Sequence, residues 1–138
     1  LPDVQMRLVH YKRIASVLDE ESLRQLQVEL IDRFGLLPEP TRNLFRQTRI
    51  RLRATNLGIR KIDGWPGGAT IEFEAVPSIE PARIIELVQN EPERFAFDSH
   101  QRLRLTADLE ATETRFSVVE ELINLLAAPT NDAMAASV

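Results

Sequence analysis

The sequence predicts an α+β fold, with three N-terminal helices followed by a ββα-ββα antiparallel sheet packed against helices. Apolar residues recur at helical spacing through roughly the first 56 residues. From residue 59 the pattern changes to the alternation of half-buried strands, and this happens twice, each time with a helical stretch behind it. Hairpins followed by single helices favour an antiparallel sheet with one face covered by helices.

The first half of the chain carries start and stop signals for three helices. Asp3 and Asp19 are suitable N-caps, and Gly35 is the residue expected where a helix ends in a left-handed conformation. Pro40 is tolerated in a first helical turn. The expected helices run from the Asp3 cap to about residue 17, over about residues 20–34, and from the turn that holds Pro40 to about residue 56.

The second half contains two predicted hairpins. In the first, Ala69, Ile71 and Phe73 alternate with polar residues after a turn at residues 66–68. The expected strands are 59–65, 69–74, 95–97 and 103–105, with helices at 81–90 and 112–127. We therefore expect a single domain over residues 1–128 and a flexible tail over residues 129–138.

Composition narrows the class of protein. Of the 138 residues, 43% are hydrophobic and 28% are charged, as in ordinary globular domains. Cysteine is absent, which excludes disulfides and thiolate metal sites. The sequence has no apolar run of the roughly 20 residues that a membrane helix needs. We expect a domain that is cut from a longer polypeptide, because the first residues lack an initiator Met. The absence of cysteine fits a cytoplasmic location.

Charge is distributed unevenly along the chain. The net charge is −4, but residues 1–61 carry 12 basic and 7 acidic side chains, whereas residues 62–138 carry 5 and 14. An acidic whole argues against a dedicated nucleic-acid-binding protein, because phosphate contacts need a basic surface. The basic first half leaves a local basic patch possible.

No residue constellation predicts catalysis. A phosphate-binding loop is missing, since the glycine pair Gly67-Gly68 fits a hairpin turn and no lysine follows it. His10 and His100 are the only histidines, and neither has ligand spacing around it. The chain is therefore expected to be no enzyme by itself and to hold no metal or cofactor.

Two polar surfaces are candidates for binding. Four arginines of the third helix, spaced by four, three and four residues, share one face: Arg42, Arg46, Arg49 and Arg53. They suit an anion or nucleic-acid contact, but they also suit a solvated face or partners for the acidic half. On the second helix, Glu29, Asp32 and Arg33 lie together, and by composition they form an ordinary polar face.

Several segments of the sequence resemble those of one family, and they follow one another in the same order. They are residues 11–15 (YKRIA), 29–38 (ELIDRFGLLP), 57–61 (LGIRK) and 71–73 (IEF). Together they resemble the C-terminal domain of the bacterial transcription-repair coupling factor family. The resemblance extends from the first residues to about residue 127, and the ten-residue segment is its most specific part.

The resemblance implies a function for the longer protein. Members of the family are ATP-driven duplex-DNA translocases of the helicase-like class, with ATP and Mg²⁺ bound in a motor domain that precedes this one. They displace stalled RNA polymerase and recruit the damage-recognition ATPase of nucleotide excision repair. The C-terminal domain of the family is regulatory and autoinhibitory, because it docks on an N-terminal repair-helicase-like module and masks the recruiting surface.

The resemblance also assigns a site. The positions that match the family's interface are Glu29, Asp32 and Arg33, where arginines of the N-terminal module would pair with the two carboxylates. Arginine binds carboxylates in a bidentate, charge-assisted geometry. The alternative function, an accessory nucleic-acid-binding domain, uses the arginines of the third helix.

Overall fold

The computed structural model describes residues 4–75, 77–98 and 102–127, and the chain divides after Arg53 into two compact units. The described residues form helices and strands in the order α1 (Val4–Ala15), α2 (Glu20–Phe34), α3 (Glu39–Asn56), β1 (Ile59–Trp65), β2 (Gly68–Phe73), α4 (Pro81–Asn90), β3 (Phe95–Phe97), β4 (Arg102–Thr106) and α5 (Thr112–Ala127).

The first unit is a helical unit with its own core. Its buried side chains come from α1, α2, α3 and the connection between the last two: Ile14, Leu23, Leu26, Leu30, Leu37, Phe45 and Leu52. Two polar contacts tie α1 to α3. The hydroxyls of Tyr11 and Thr41 lie 3.1 Å apart, and the Arg51 guanidinium donates to the backbone oxygens of Ala15 and Val17.

Both ends of α2 are fixed by local hydrogen bonds. The Asp19 carboxylate accepts from the backbone N–H of Ser22 at 2.7 Å, which satisfies one of the free donors of the first turn. At the other end, Gly35 has a φ of 79° and its N–H donates to the Ile31 carbonyl. Leu23, Leu26 and Leu30 point into the core, so the opposite side of α2 is exposed.

The second unit contains a four-stranded antiparallel sheet in the order β1-β2-β4-β3. Side chains alternate between the two faces of a strand. Ile71 and Phe73 of β2 and Leu103 and Leu105 of β4 are buried, whereas Arg102, Arg104 and Thr106 are exposed. Helix α4 contacts β3 and α5, and α5 buries Val119, Leu122, Ile123 and Leu126.

The fold class and the order of elements predicted from the sequence are confirmed. Helices α2, α4 and α5 and strands β1 and β3 have the expected bounds, and α3 holds Pro40 in its first turn as expected. Helix α1 ends at Ala15, two residues before its expected end. The alternating burial of β2 is confirmed. Asp3, His100 and the predicted tail over 129–138 lie outside the described residues. The single domain over 1–128 stays a prediction.

Candidate interaction surface

The side of α2 that faces away from the core carries the three predicted interface residues. Glu29, Asp32 and Arg33 are all exposed, while Leu26 and Leu30 of the same helix are buried. Residues three and four apart on a helix are neighbours on its surface. The structure therefore places the three side chains on one accessible strip of a helix that is fixed at both ends.

Glu29 is held by a residue from the neighbouring helix. The Arg13 guanidinium of α1 lies 2.9 Å from the Glu29 carboxylate, and the two side chains are 45% and 50% exposed. The pair borders a hollow of about 450 Å³ between α1 and α2. Sequence analysis did not single out Arg13 as a site residue, because the pair joins two helices and no spacing rule links positions 13 and 29.

Asp32 and Arg33 differ in how they are restrained. Within the described part of the chain, Asp32 has no side-chain hydrogen bond or ion pair, so its carboxylate is available to a partner. The Arg33 guanidinium lies 5.3 Å from the centre of the Phe34 ring, a distance typical of a cation–π contact. Phe34 in turn packs edge-on against the buried His10 ring at 5.5 Å.

The predicted arginine face of α3 is already engaged in contacts within the first unit. Arg42 donates to the Leu37 carbonyl at 2.8 Å, Arg49 to the Gln27 side chain at 3.4 Å, and Arg53 lies 3.2 Å from the Glu20 carboxylate. Arg46 also has a partner. A phosphate group would have to compete with these contacts, so the face is less available than an unpaired basic stripe.

Among the described residues, no group of three or more His, Asp or Glu side chains could hold a metal ion. His10 is buried against Phe34, and its Nδ1 has no hydrogen-bond partner in the described part of the chain. None of the described helices is both long and apolar enough to cross a membrane. The expectation of no catalysis, metal or cofactor in this chain stays a prediction.

Comparison with known proteins shows which family the chain is similar to. The model of the TRCF domain family matches residues 1–84, which include α1, α2 and α3. The transcription-repair-coupling factor of Escherichia coli is 44% identical over 126 residues, or 91% of this chain, and that of Haemophilus influenzae is 41% identical over 128 residues, or 93% of it. The chain spans 11% of the length of each of these relatives.

A solved structure shares the fold. The crystal structure of the C-terminal domain of transcription-repair coupling factor superposes with a TM-score of 0.68 and covers 91% of this chain and 84% of that one, at 17% identity. At this identity the likeness shows the fold alone. The family model matches more than half of the chain, and the segments recognised in the sequence lie within its range. The chain belongs to the TRCF domain family.

Proposed function

We propose that this chain is the regulatory, autoinhibitory contact module of a transcription-repair coupling factor. It docks through α2 on the N-terminal repair-helicase-like module of the same polypeptide and masks the surface that recruits the damage-recognition ATPase of nucleotide excision repair. The observation that carries the proposal is the exposed pair of carboxylates, Glu29 and Asp32, on a capped helix inside the matched family range.

The chemistry of the face suits a reversible contact. Exposed carboxylates form bidentate hydrogen bonds with arginine, and α2 presents them without a change of backbone. An intramolecular partner has an effective concentration on the order of 1 mM, so a weak contact is enough to hold the closed state. A weak contact also opens easily when another ligand competes, as a regulatory contact must.

The activities of the longer protein belong to the same proposal. The parent is an ATP-hydrolysing DNA translocase, with ATP and Mg²⁺ in its motor domain, that binds duplex DNA and stalled RNA polymerase in the cytoplasm. The chain spans 11% of the length of its relative, so we assign the motor chemistry to the rest of the parent. The role of the chain within the parent is to restrain recruitment until polymerase and DNA are engaged.

The test is an NMR titration of the isotope-labelled chain with the separately purified N-terminal module at up to about 1 mM. We expect chemical-shift changes centred on residues 29–33. Glu29→Arg should weaken docking at least 30-fold, because breaking an interfacial charge pair costs about 2–5 kcal/mol. Glu29→Gln should weaken it less.

The matched control is Glu93→Arg, which makes the same charge change at an exposed position of the second unit. It should leave docking unchanged. Equal affinities for the wild type and Glu29→Arg, or equal losses in Glu29→Arg and Glu93→Arg, would reject the proposal.

The accessory nucleic-acid-binding function stays the alternative. The arginines of α3 remain its candidate residues, and the contacts of Arg42, Arg49 and Arg53 within the first unit count against it.

A further inference from the structure

A mostly apolar groove lies between α4 and the edge strand β3 of the second unit. It holds about 420 Å³, and its walls are formed by Pro81, Ile84, Ile85, Val88 and Phe97, with Gln89 as the polar member. A second hollow of about 190 Å³ shares Pro81, Ile84 and Phe97 and continues towards Phe73 and Glu74. The two hollows adjoin, so the apolar surface extends past the first turn of α4.

Large apolar side chains in this groove are in contact with water. Ile85 is 53% exposed and Phe97 is 45% exposed, although Phe97 lies at the end of a strand whose other phenylalanine, Phe95, is 2% exposed. Apolar surface that water wets stabilises a complex when a partner covers it. A contiguous, concave apolar patch differs from the single exposed apolar side chains that occur on ordinary protein surfaces.

The geometry of the groove fits a helix. The α4 residues that line it stand at positions 81, 84, 85, 88 and 89, which is the spacing of one helical face that packs on another helix. The strand β3 has three residues, which is too short a template for a stable added strand. A helical partner would lie beside α4 and cover Phe97.

The charges near the groove indicate the charge that a partner would carry. Three nearby carboxylates are paired within the unit: Glu86 with Arg83, Glu91 with Arg94 and Asp98 with Arg102. Glu74, which lines the second hollow, and Glu80, which precedes Pro81, have no side-chain partner in the described part of the chain. Residues 54–138 carry seven basic and fourteen acidic side chains, so the unit attracts cations.

We propose that this groove binds a basic amphipathic helix of another protein. Its apolar stripe enters between α4 and β3 and covers Ile85 and Phe97, and lysines or arginines on its flank face Glu74 and Glu80. The groove belongs to the second unit and the Glu29 face to the first, and the inference does not rest on the proposed function.

The test uses the 138-residue chain and two synthetic peptides with the same leucine stripe, one flanked by lysines and the other by glutamates. We expect the lysine peptide to bind in fluorescence anisotropy and to shift the NMR signals of Ile84, Ile85 and Val88. The glutamate peptide should bind at least tenfold more weakly. Glu74→Lys should reduce this preference by weakening the lysine peptide and strengthening the glutamate peptide.

Ile85→Asp places a charge at the apolar wall and should weaken the lysine peptide at least tenfold. The matched control is Val28→Asp, because Val28 is also a half-exposed apolar residue on a helix, at 50% exposure, but lies in the first unit. The proposal is overturned by equal binding of the two peptides, by equal binding to wild type and Ile85→Asp, or by self-association of the chain through the groove, which would make a second copy its occupant.

Discussion

At the residue scale, the candidate interface depends on charges that the chain itself partly neutralises. Glu29 is paired with Arg13, whereas Asp32, one turn further along α2, has no partner in the described part of the chain. An ion pair between half-exposed side chains stabilises a fold by about 0–1 kcal/mol, so it can be exchanged for another pair at little cost. Arg13 is therefore a competitor for any arginine that approaches Glu29.

We predict that Arg13→Gln tightens docking of the N-terminal module. Removing the competitor frees Glu29, and the gain should be up to about fivefold, since the exposed pair contributes no more than about 1 kcal/mol. The measurement is the same NMR titration. A weaker complex would mean that Arg13 itself contacts the partner, and Arg24→Gln, which alters another α2 ion pair, is the control.

Asp19 makes the stability of the fold depend on pH in the acidic range. The Ser22 backbone N–H, and then the Ser22 hydroxyl, donate to the Asp19 carboxylate and hold its pKa below the ordinary value of 3.8. A lowered pKa in the folded state means that the carboxylate stabilises the fold above its unfolded pKa. This stabilisation is lost as the pH falls through the folded pKa.

Asp19→Asn is predicted to keep the N-cap of α2 while removing the carboxylate that titrates. Asparagine is also a good N-cap, so the variant should keep most of the stability near neutral pH. It should lose less stability than the wild type as the pH falls below about 4, because the titrating group is gone. Urea unfolding along a pH series measures this, with Asp19→Ala as the variant that loses the cap at every pH. Identical acid slopes in wild type and Asp19→Asn would contradict the assignment.

At the element scale, the end of α3 depends on Gly58, a position where a residue with a Cβ does not fit. Gly58 has a φ of 77°, and an added Cβ would lie 2.6 Å from the Cα of Pro77. Its carbonyl accepts from the Glu74 N–H at 2.8 Å, and the neighbouring Leu57 carbonyl accepts from Ser78 at 2.9 Å. The helix end and the segment after β2 are thus held together by backbone contacts.

Gly58→Ala is predicted to destabilise the fold strongly. The left-handed backbone alone costs a residue with a Cβ about 1–2 kcal/mol, and the contact with Pro77 adds to this because backbone atoms must move. Gly67→Ala is the control, since its Cβ would meet only the movable Trp65 ring at 3.3 Å. Chemical denaturation should show a loss that is clearly smaller for Gly67→Ala, and equal losses would refute the account.

At the scale of the whole molecule, the balance of charge limits the partners. The chain carries a net charge of −4, and Arg42, Arg49 and Arg53 of α3 contact groups within the first unit. Binding to a polyanion therefore depends on a small local patch inside an acidic protein. Such binding is weak because few counterions are released, and added salt weakens it further.

We predict that the chain does not bind duplex DNA at about 150 mM salt, where exposed charges are screened beyond about 8 Å. Weak binding at low salt that disappears on adding salt would agree with this. An anisotropy titration at two salt concentrations makes the measurement. Binding that persists at the higher concentration and is lost in Arg46→Gln would favour the accessory nucleic-acid function.

The sequence by itself determined the order of the elements and most of their ends. Asp19, Gly35 and Gly58 act on the backbone within a few residues of their own positions, and the period of apolar residues follows from local geometry. This is why the predicted α2, α4, α5, β1 and β3 have the observed bounds. The three residues of the candidate interface were also recognisable, because they share one helix and one matching segment.

Only the tertiary structure decided which distant residues meet. The placement of β4 between β2 and β3, the pairing of Arg13 with Glu29 and the engagement of the α3 arginines all join parts of the chain that are far apart in sequence. The groove beside α4 is of the same kind, since it needs Phe97 next to Ile84 and Ile85. Such contacts depend on how whole elements pack, and the spacing of residues along one element carries no information about its neighbour.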